Sequence, residues 1–221
     1  MNYKAIAEQM GPRVGATQEW VFQVLRTGIV SGQLTGGTQL KQDEISAALN
    51  VSHIPVREAL RRLEAQGLVR IHPNRGASVT QLSRDSLVDM MEVRATLSVM
   101  LLKNGAPLLT DGDYAAMEEV IAQQKKTSDL FKSEELNYKF HEILTSHADN
   151  SFAELLMELV HANIDRYVRT GFYSTEEKRN ESIHQHEQIL AAVKAGDYEK
   201  ACQVLREHIM SAADLIPESI K

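Results

Sequence analysis

The chain has a single cysteine, Cys202, so no disulfide can form within it and a reducing compartment is expected. Aromatic residues are scarce, at 5% of 221 positions, although a hydrophobic fraction of 43% is ample for the packed cores of one or two domains. No run approaches eighteen uncharged apolar residues, which excludes a membrane-spanning helix. The opening MNYKAIAEQMGPRVG also lacks the apolar stretch of a secretion signal. The expectation is a soluble, cytoplasmic protein with no membrane partner.

What is present is unevenly distributed. Residues 1–80 carry nine Lys/Arg against six acids, a net +3, whereas 81–221 carry fifteen against twenty-four, a net −9. The split suggests two domains with different partners, the basic one suited to a phosphate backbone.

Residues 1–13 read as a flexible tail. From Thr17, an expected N-cap, Trp20, Val21, Val24, Leu25 and Ile29 recur at helical spacing until the glycines of SGQLTGG at 31–37. A second helix is expected at 41–49, then a turn at NVS (50–52) with Ser52 as the next cap. A third helix follows from Ile54 to Ala65, with Pro55 in its first turn and Gly67 as its stop. LVRI and GASVTQL then alternate like two strands joined by the turn HPNRG. Helix, helix, tight turn, helix, hairpin is the outline of a winged helix-turn-helix spanning 14–80.

Beyond Ser83 the pattern is helical throughout, at 83–104, 111–128, 133–147, 151–170, 175–195 and 198–214. Asp111, Ser174 with Glu177, and Asp197 mark starts. Short loops between six helices imply an antiparallel all-α bundle over 81–221. The fold class is therefore mainly α: a winged helix-turn-helix followed by a bundle of about six helices.

In a helix-turn-helix the second helix of the pair enters the major groove N-terminus first. The side chains available there are Ser52, His53, Ile54 and Arg57. Val56, Leu60 and Leu63 form the inward stripe, so Arg57 points outward, and Arg61 and Arg62 flank it toward phosphates. Arg75 at the hairpin tip can reach a phosphate or the minor groove, with Gly76 permitting close approach.

The stretch LKQDEISAALNVSHIPVREALRRLEAQGLVRIHPNRGASV, residues 40–79, closely resembles the winged-helix signature of GntR-family transcription regulators, and IVSGQLTGGTQL resembles the element before it. The resemblance implies that Arg57 and residues 52–54 read double-stranded operator DNA. Two positions depart from the pattern: His53 stands where Arg is usual, and Ile54 where a small polar residue is usual. The first change removes a bidentate donor.

Six of the eight histidines lie in the acidic part. Asn137 and His141, four apart in NYKFHEIL, share a helical face, while His186 and His208 fall on two further helices. Three imidazoles converging inside a bundle can bind a divalent metal, although each alone also fits a hydrogen-bonded or surface histidine. His147, His161 and His184 read as surface or structural. EVRATL (92–97), NYKFHEIL and HEQILAAVKAGDYEKACQVLREHI (186–209) resemble the FCD effector domain of the FadR-type branch of that family.

That resemblance implies an Asp and three His holding a divalent metal beside a pocket for a small organic acid. It places the ligands at His141, His186 and His208, with Asn137 where Asp is usual. Zinc or nickel, with manganese as the alternative, is the implied ion. It also implies that Arg94 clamps the effector carboxylate, with Arg166 and Arg169 as weaker candidates, and Ser98 stands where Glu is common. The expected protein is a homodimeric regulator, with repression as the expected mode. Two other classes compete. One is a metal-dependent hydrolase, disfavoured because no acid is spaced as an obvious general base; the other is a constitutive DNA binder without effector.

Overall fold

Apolar residues at helical spacing between Trp20 and Leu63 fold as three helices, α2 (Thr17–Val30), α3 (Gln42–Leu49) and α4 (His53–Ala65). The computed structural model describes residues 2–13, 15–73, 75–81, 83–167 and 176–211. These divide into two units: Met1–Ser83 with His161–Gly171, and Arg84–Val160 with Phe172–Lys221.

In the first unit α4 lies against α2 along Val56, Leu60 and Leu63, each no more than 1% exposed. Burying a side chain of that size contributes roughly 1.5–3 kcal/mol, so this stripe fixes the helix pair. Asn50, at φ 51°, makes the tight turn between α3 and α4, the arrangement that defines a helix-turn-helix. Ala16 rather than Thr17 occupies the N-cap of α2, and Ser52 occupies that of α4 without a side-chain capping bond.

The expected hairpin is β2 (Val69–His72) and β3 (Gly76–Val79), paired antiparallel. A third strand, β1 (Gln39–Leu40), pairs with the other edge of β3. Gly76 adopts φ 79°, and a Cβ there would meet the Leu40 carbonyl oxygen at 2.9 Å. Only glycine satisfies both conditions.

One expectation is corrected here. Residues 1–13 are not simply a tail: α1 (Tyr3–Gln9) buries Tyr3, Ile6 and Ala7 in the core of this unit. The compact unit also takes in a segment from beyond residue 80. It includes the end of α8 (Ser151–Tyr167), where Asn163 donates to the Gln66 carbonyl at 2.8 Å and Arg166 donates to both the Thr80 hydroxyl and its carbonyl.

The second unit is built of α5 (Arg84–Gly105), α6 (Asp111–Lys126), α7 (Leu130–Thr145), the start of α8, α9 (Glu176–Lys194) and α10 (Tyr198–Ser211). The six expected helices are all present among the described residues. Thr110 and Asp113 form a reciprocal capping box at the start of α6, and Asp197 accepts from the Lys200 amide at the start of α10. The expected box at Ser174 lies outside the described residues. α10 packs on α5 and α9, and α6 packs on α7 and α9. No helix among the described residues is long and apolar enough to cross a membrane.

Candidate recognition helix and histidine cluster

The first turn of α4 is open to solvent. Ser52 and His53 are exposed, and Ile54 is 65% exposed. Arg57 and Arg61 project from the same helix, each sharing Glu58 at 3.7 and 3.3 Å. Such exposed pairs are worth little and exchange readily for phosphates. His53 Nδ1 lies 3.5 Å from Asp43 on α3. Arg75 is exposed at the turn of the hairpin, next to Gly76.

Arg62 departs from expectation. Its guanidinium pairs with Glu19 of α2 at 2.5 Å and lies 4.0 Å from the Phe22 ring centroid. The side chain lies against α2 and ties the two helices together.

The three histidines of the second unit meet. His141 from α7, His186 from α9 and His208 from α10 are all buried, with ligand nitrogens within 4.8 Å of one another. His208 Nε2 is 3.1 Å from His141 Nε2 and 3.3 Å from His186 Nε2. A tetrahedral zinc with bonds of about 2.0–2.1 Å to nitrogen separates its ligand atoms by roughly 3.3 Å. The donor set therefore fits a borderline divalent ion in type, and the two separations to His208 match it in spacing.

The surroundings keep the His186 and His208 rings neutral. Burial, and then the positive charge of Arg94, push His208 down to about 3. Burial lowers His186 well below the ordinary histidine value as well, aided by His208 and Arg94. Neutral imidazole is the form that ligates a metal. His186 stacks on Phe140 at 4.1 Å with an 18° tilt, and its Nδ1 is 3.0 Å from Gln124 Oε1. His208 Nδ1 is 2.9 Å from Gln185 Oε1.

Arg94, on α5, is 5% exposed, and its Nε and one terminal nitrogen have no hydrogen-bond partner. The surface ion pair that Asp89 or Glu92 could have offered does not form; the guanidinium instead faces the Tyr138 ring at 5.9 Å. A buried cation with unspent donors costs several kcal/mol unless an anion or another acceptor meets it. Ser98, one turn along α5, is buried too. Asn137 Nδ2 donates to Glu134 at 3.1 Å, which leaves its Oδ1 buried without a partner.

Arg166 belongs to the first unit, where it donates to the Thr80 hydroxyl and carbonyl. Arg169 lies outside the described residues. His147 pairs with Asp113 at 3.0 Å beside the α6 cap, and His184 is exposed with Gln188 as neighbour, so both are structural or surface groups. Sequence reasoning missed Phe140, Gln124 and Gln185. Phe140 and Gln185 carried a signal, as the residues before His141 and His186, and Gln124 carried none.

Two domain families match the chain. The description "Bacterial regulatory proteins, gntR family" covers residues 17–79, and the FCD domain covers 89–211. The HTH-type transcriptional repressor RspR of Escherichia coli (strain K12) is 27% identical over 96% of this chain and 93% of its own length. A GntR-family transcriptional regulator from Pseudomonas syringae pv. tomato is 27% identical, with a TM-score of 0.54 over 96% of this chain and 91% of its own. E. coli McbR/YncC shares the fold at 23% identity, with a TM-score of 0.67 over 90% of this chain and 95% of its own. The gntR family, RspR and the Pseudomonas syringae protein are regulators rather than enzymes, which sets aside the hydrolase alternative.

Proposed function

The chain belongs to the GntR family of bacterial transcription regulators and carries the FCD domain, and from that premise we propose that it is a cytoplasmic repressor whose operator affinity answers to a small carboxylate held in the helical unit. The observation that carries this reading is the buried cluster of His141, His186 and His208, acted on by the unspent guanidinium of Arg94. His141, His186 and His208 would hold a divalent ion, zinc or nickel with manganese as the alternative, and Asn137 would offer a neutral oxygen in place of the usual carboxylate. A bound ion supplies a positive centre for one carboxylate oxygen. Arg94 would then take the same group through its unpartnered nitrogens.

Losing the Asp charge at position 137 leaves the site more positive. It should hold an anionic effector more firmly and its metal less firmly than a carboxylate-bearing site would. On the DNA side, Ser52, His53, Ile54 and Arg57 face the base edges, while Arg61 and Arg75 take phosphates. Each chain presents one recognition helix, so a palindromic operator calls for a homodimer. Exposed Val93 and Met100 on α5, with Phe152 and Leu155 on α8, supply apolar surface that a second chain would cover.

The test selects an operator from random duplexes, then titrates mono-, di- and hydroxycarboxylates onto the zinc-loaded protein–DNA complex. One acid class should change operator affinity by at least about tenfold, a typical allosteric coupling. Arg94→Met should abolish the response while leaving DNA binding intact. If no acid moves the affinity of the zinc-loaded protein, it is a constitutive DNA binder.

A further inference from the structure

An imidazole presents a lone pair to the other rings of the cluster only if its hydrogen is placed on the far nitrogen, and Gln124 is the residue that does so for His186. Gln124 lies on α6, 2% exposed, and uses its amide nitrogen on the Ser133 carbonyl at 3.4 Å. That bond orients the amide, so the group facing His186 Nδ1 at 3.0 Å is the oxygen Oε1. An amide oxygen accepts and cannot donate. The hydrogen of the neutral ring must therefore be on Nδ1, and Nε2 is left bare, 3.3 Å from His208 Nε2. Phe140, stacked at 4.1 Å, holds the plane of the same ring and prevents it from turning away.

We infer that Gln124 is a positioning residue for this cluster: it fixes His186 in the Nδ1–H tautomer, so that the Nε2 lone pair is turned toward the other two histidines. Gln185 meets His208 Nδ1 at 2.9 Å in the same way, so the facing Nε2 atoms of His186 and His208 are both acceptors. Neither can donate to the other, and a cation held between the rings would relieve the pair. The inference rests on the proposed metal site and adds the residue that presents its ligand. An acceptor on the far nitrogen of a metal-bound histidine also raises the basicity of the ligating one, and its loss typically costs 10–100-fold in metal affinity.

The test uses the full-length protein in two measurements. Long-range 1H–15N spectra of the chelator-treated protein report which nitrogen of His186 carries the proton, and chelator competition gives the zinc affinity. The parent should show Nδ1–H. Gln124→Met, which keeps the length but not the acceptor, should move His186 toward Nε2–H, the form a free ring favours in water, and lose about 10–100-fold in zinc affinity. Gln124→Glu, an acceptor in either orientation, should keep Nδ1–H and bind zinc at least as well as the parent.

A parent His186 found as Nε2–H overturns the inference, whatever the variants do. So does a folded Gln124→Met protein with unchanged zinc affinity. A parent with Nδ1–H and no zinc binding upholds the tautomer assignment and refutes the metal site.

Discussion

Lowering the pH of the metal-free protein should destabilise it through its buried histidines, and the size of the effect follows from their burial. An unfolded histidine titrates near 6.5, whereas His208 is held at about 3 in the folded chain. Between those values the unfolded chain binds a proton that the folded chain refuses. Stability is therefore complete above about 6.5 and falls as the pH drops toward 3. At pH 5 the unfolded state gains a factor of about 30 from this one group, or about 2 kcal/mol. His186 shifts in the same direction and adds to the loss. The assay is urea unfolding followed by far-UV circular dichroism at pH 7.5 and 5.0, in chelator, for the parent and His208→Gln. The parent's loss should exceed the variant's by about 2 kcal/mol. Equal losses in the two proteins would refute the reasoning, because removal of the group would then not matter.

Arg57→Ala should cost about 1–3 kcal/mol of specific operator binding and relax preference at one base, whereas Arg61→Ala should weaken all duplexes alike; fluorescence anisotropy on specific and random duplexes separates the two. Arg62→Ala should lower stability by about 1 kcal/mol, from the lost Glu19 pair and Phe22 contact, as read by urea unfolding. Unchanged stability with uniformly weaker DNA binding would return Arg62 to a phosphate role. Gly76→Ala should cost at least about 1–2 kcal/mol for its left-handed backbone, more with the Leu40 clash, and an unaltered urea midpoint would contradict that account.

Most of the helices, with their approximate ends, were legible in the sequence. Expected spans such as 83–104 and 111–128 became Arg84–Gly105 and Asp111–Lys126, because apolar periodicity, caps and stops act within a few residues of the chain. The wing was legible for the same reason, from HPNRG between two alternating runs. The three histidines could be named from a resemblance, but spacing alone did not make them meet. That required α7, α9 and α10 to pack together with His141, His186 and His208 turned inward.

Everything else that tertiary structure decided joins residues far apart in the chain. Strand β1 is two residues long and exists only because β3 offers it an edge. Helix α1 is too short to be stable alone and forms by burying Tyr3 and Ile6 in the core of the first unit. Arg62 meets Glu19 across 43 positions, Gln124 meets His186 across 62, and Arg166 meets Thr80 across 86. A guanidinium or an amide has the same local pattern whether it faces solvent, a phosphate or a buried ring. Its role is set by the partner that packing brings within 3 Å, and no periodicity records that partner.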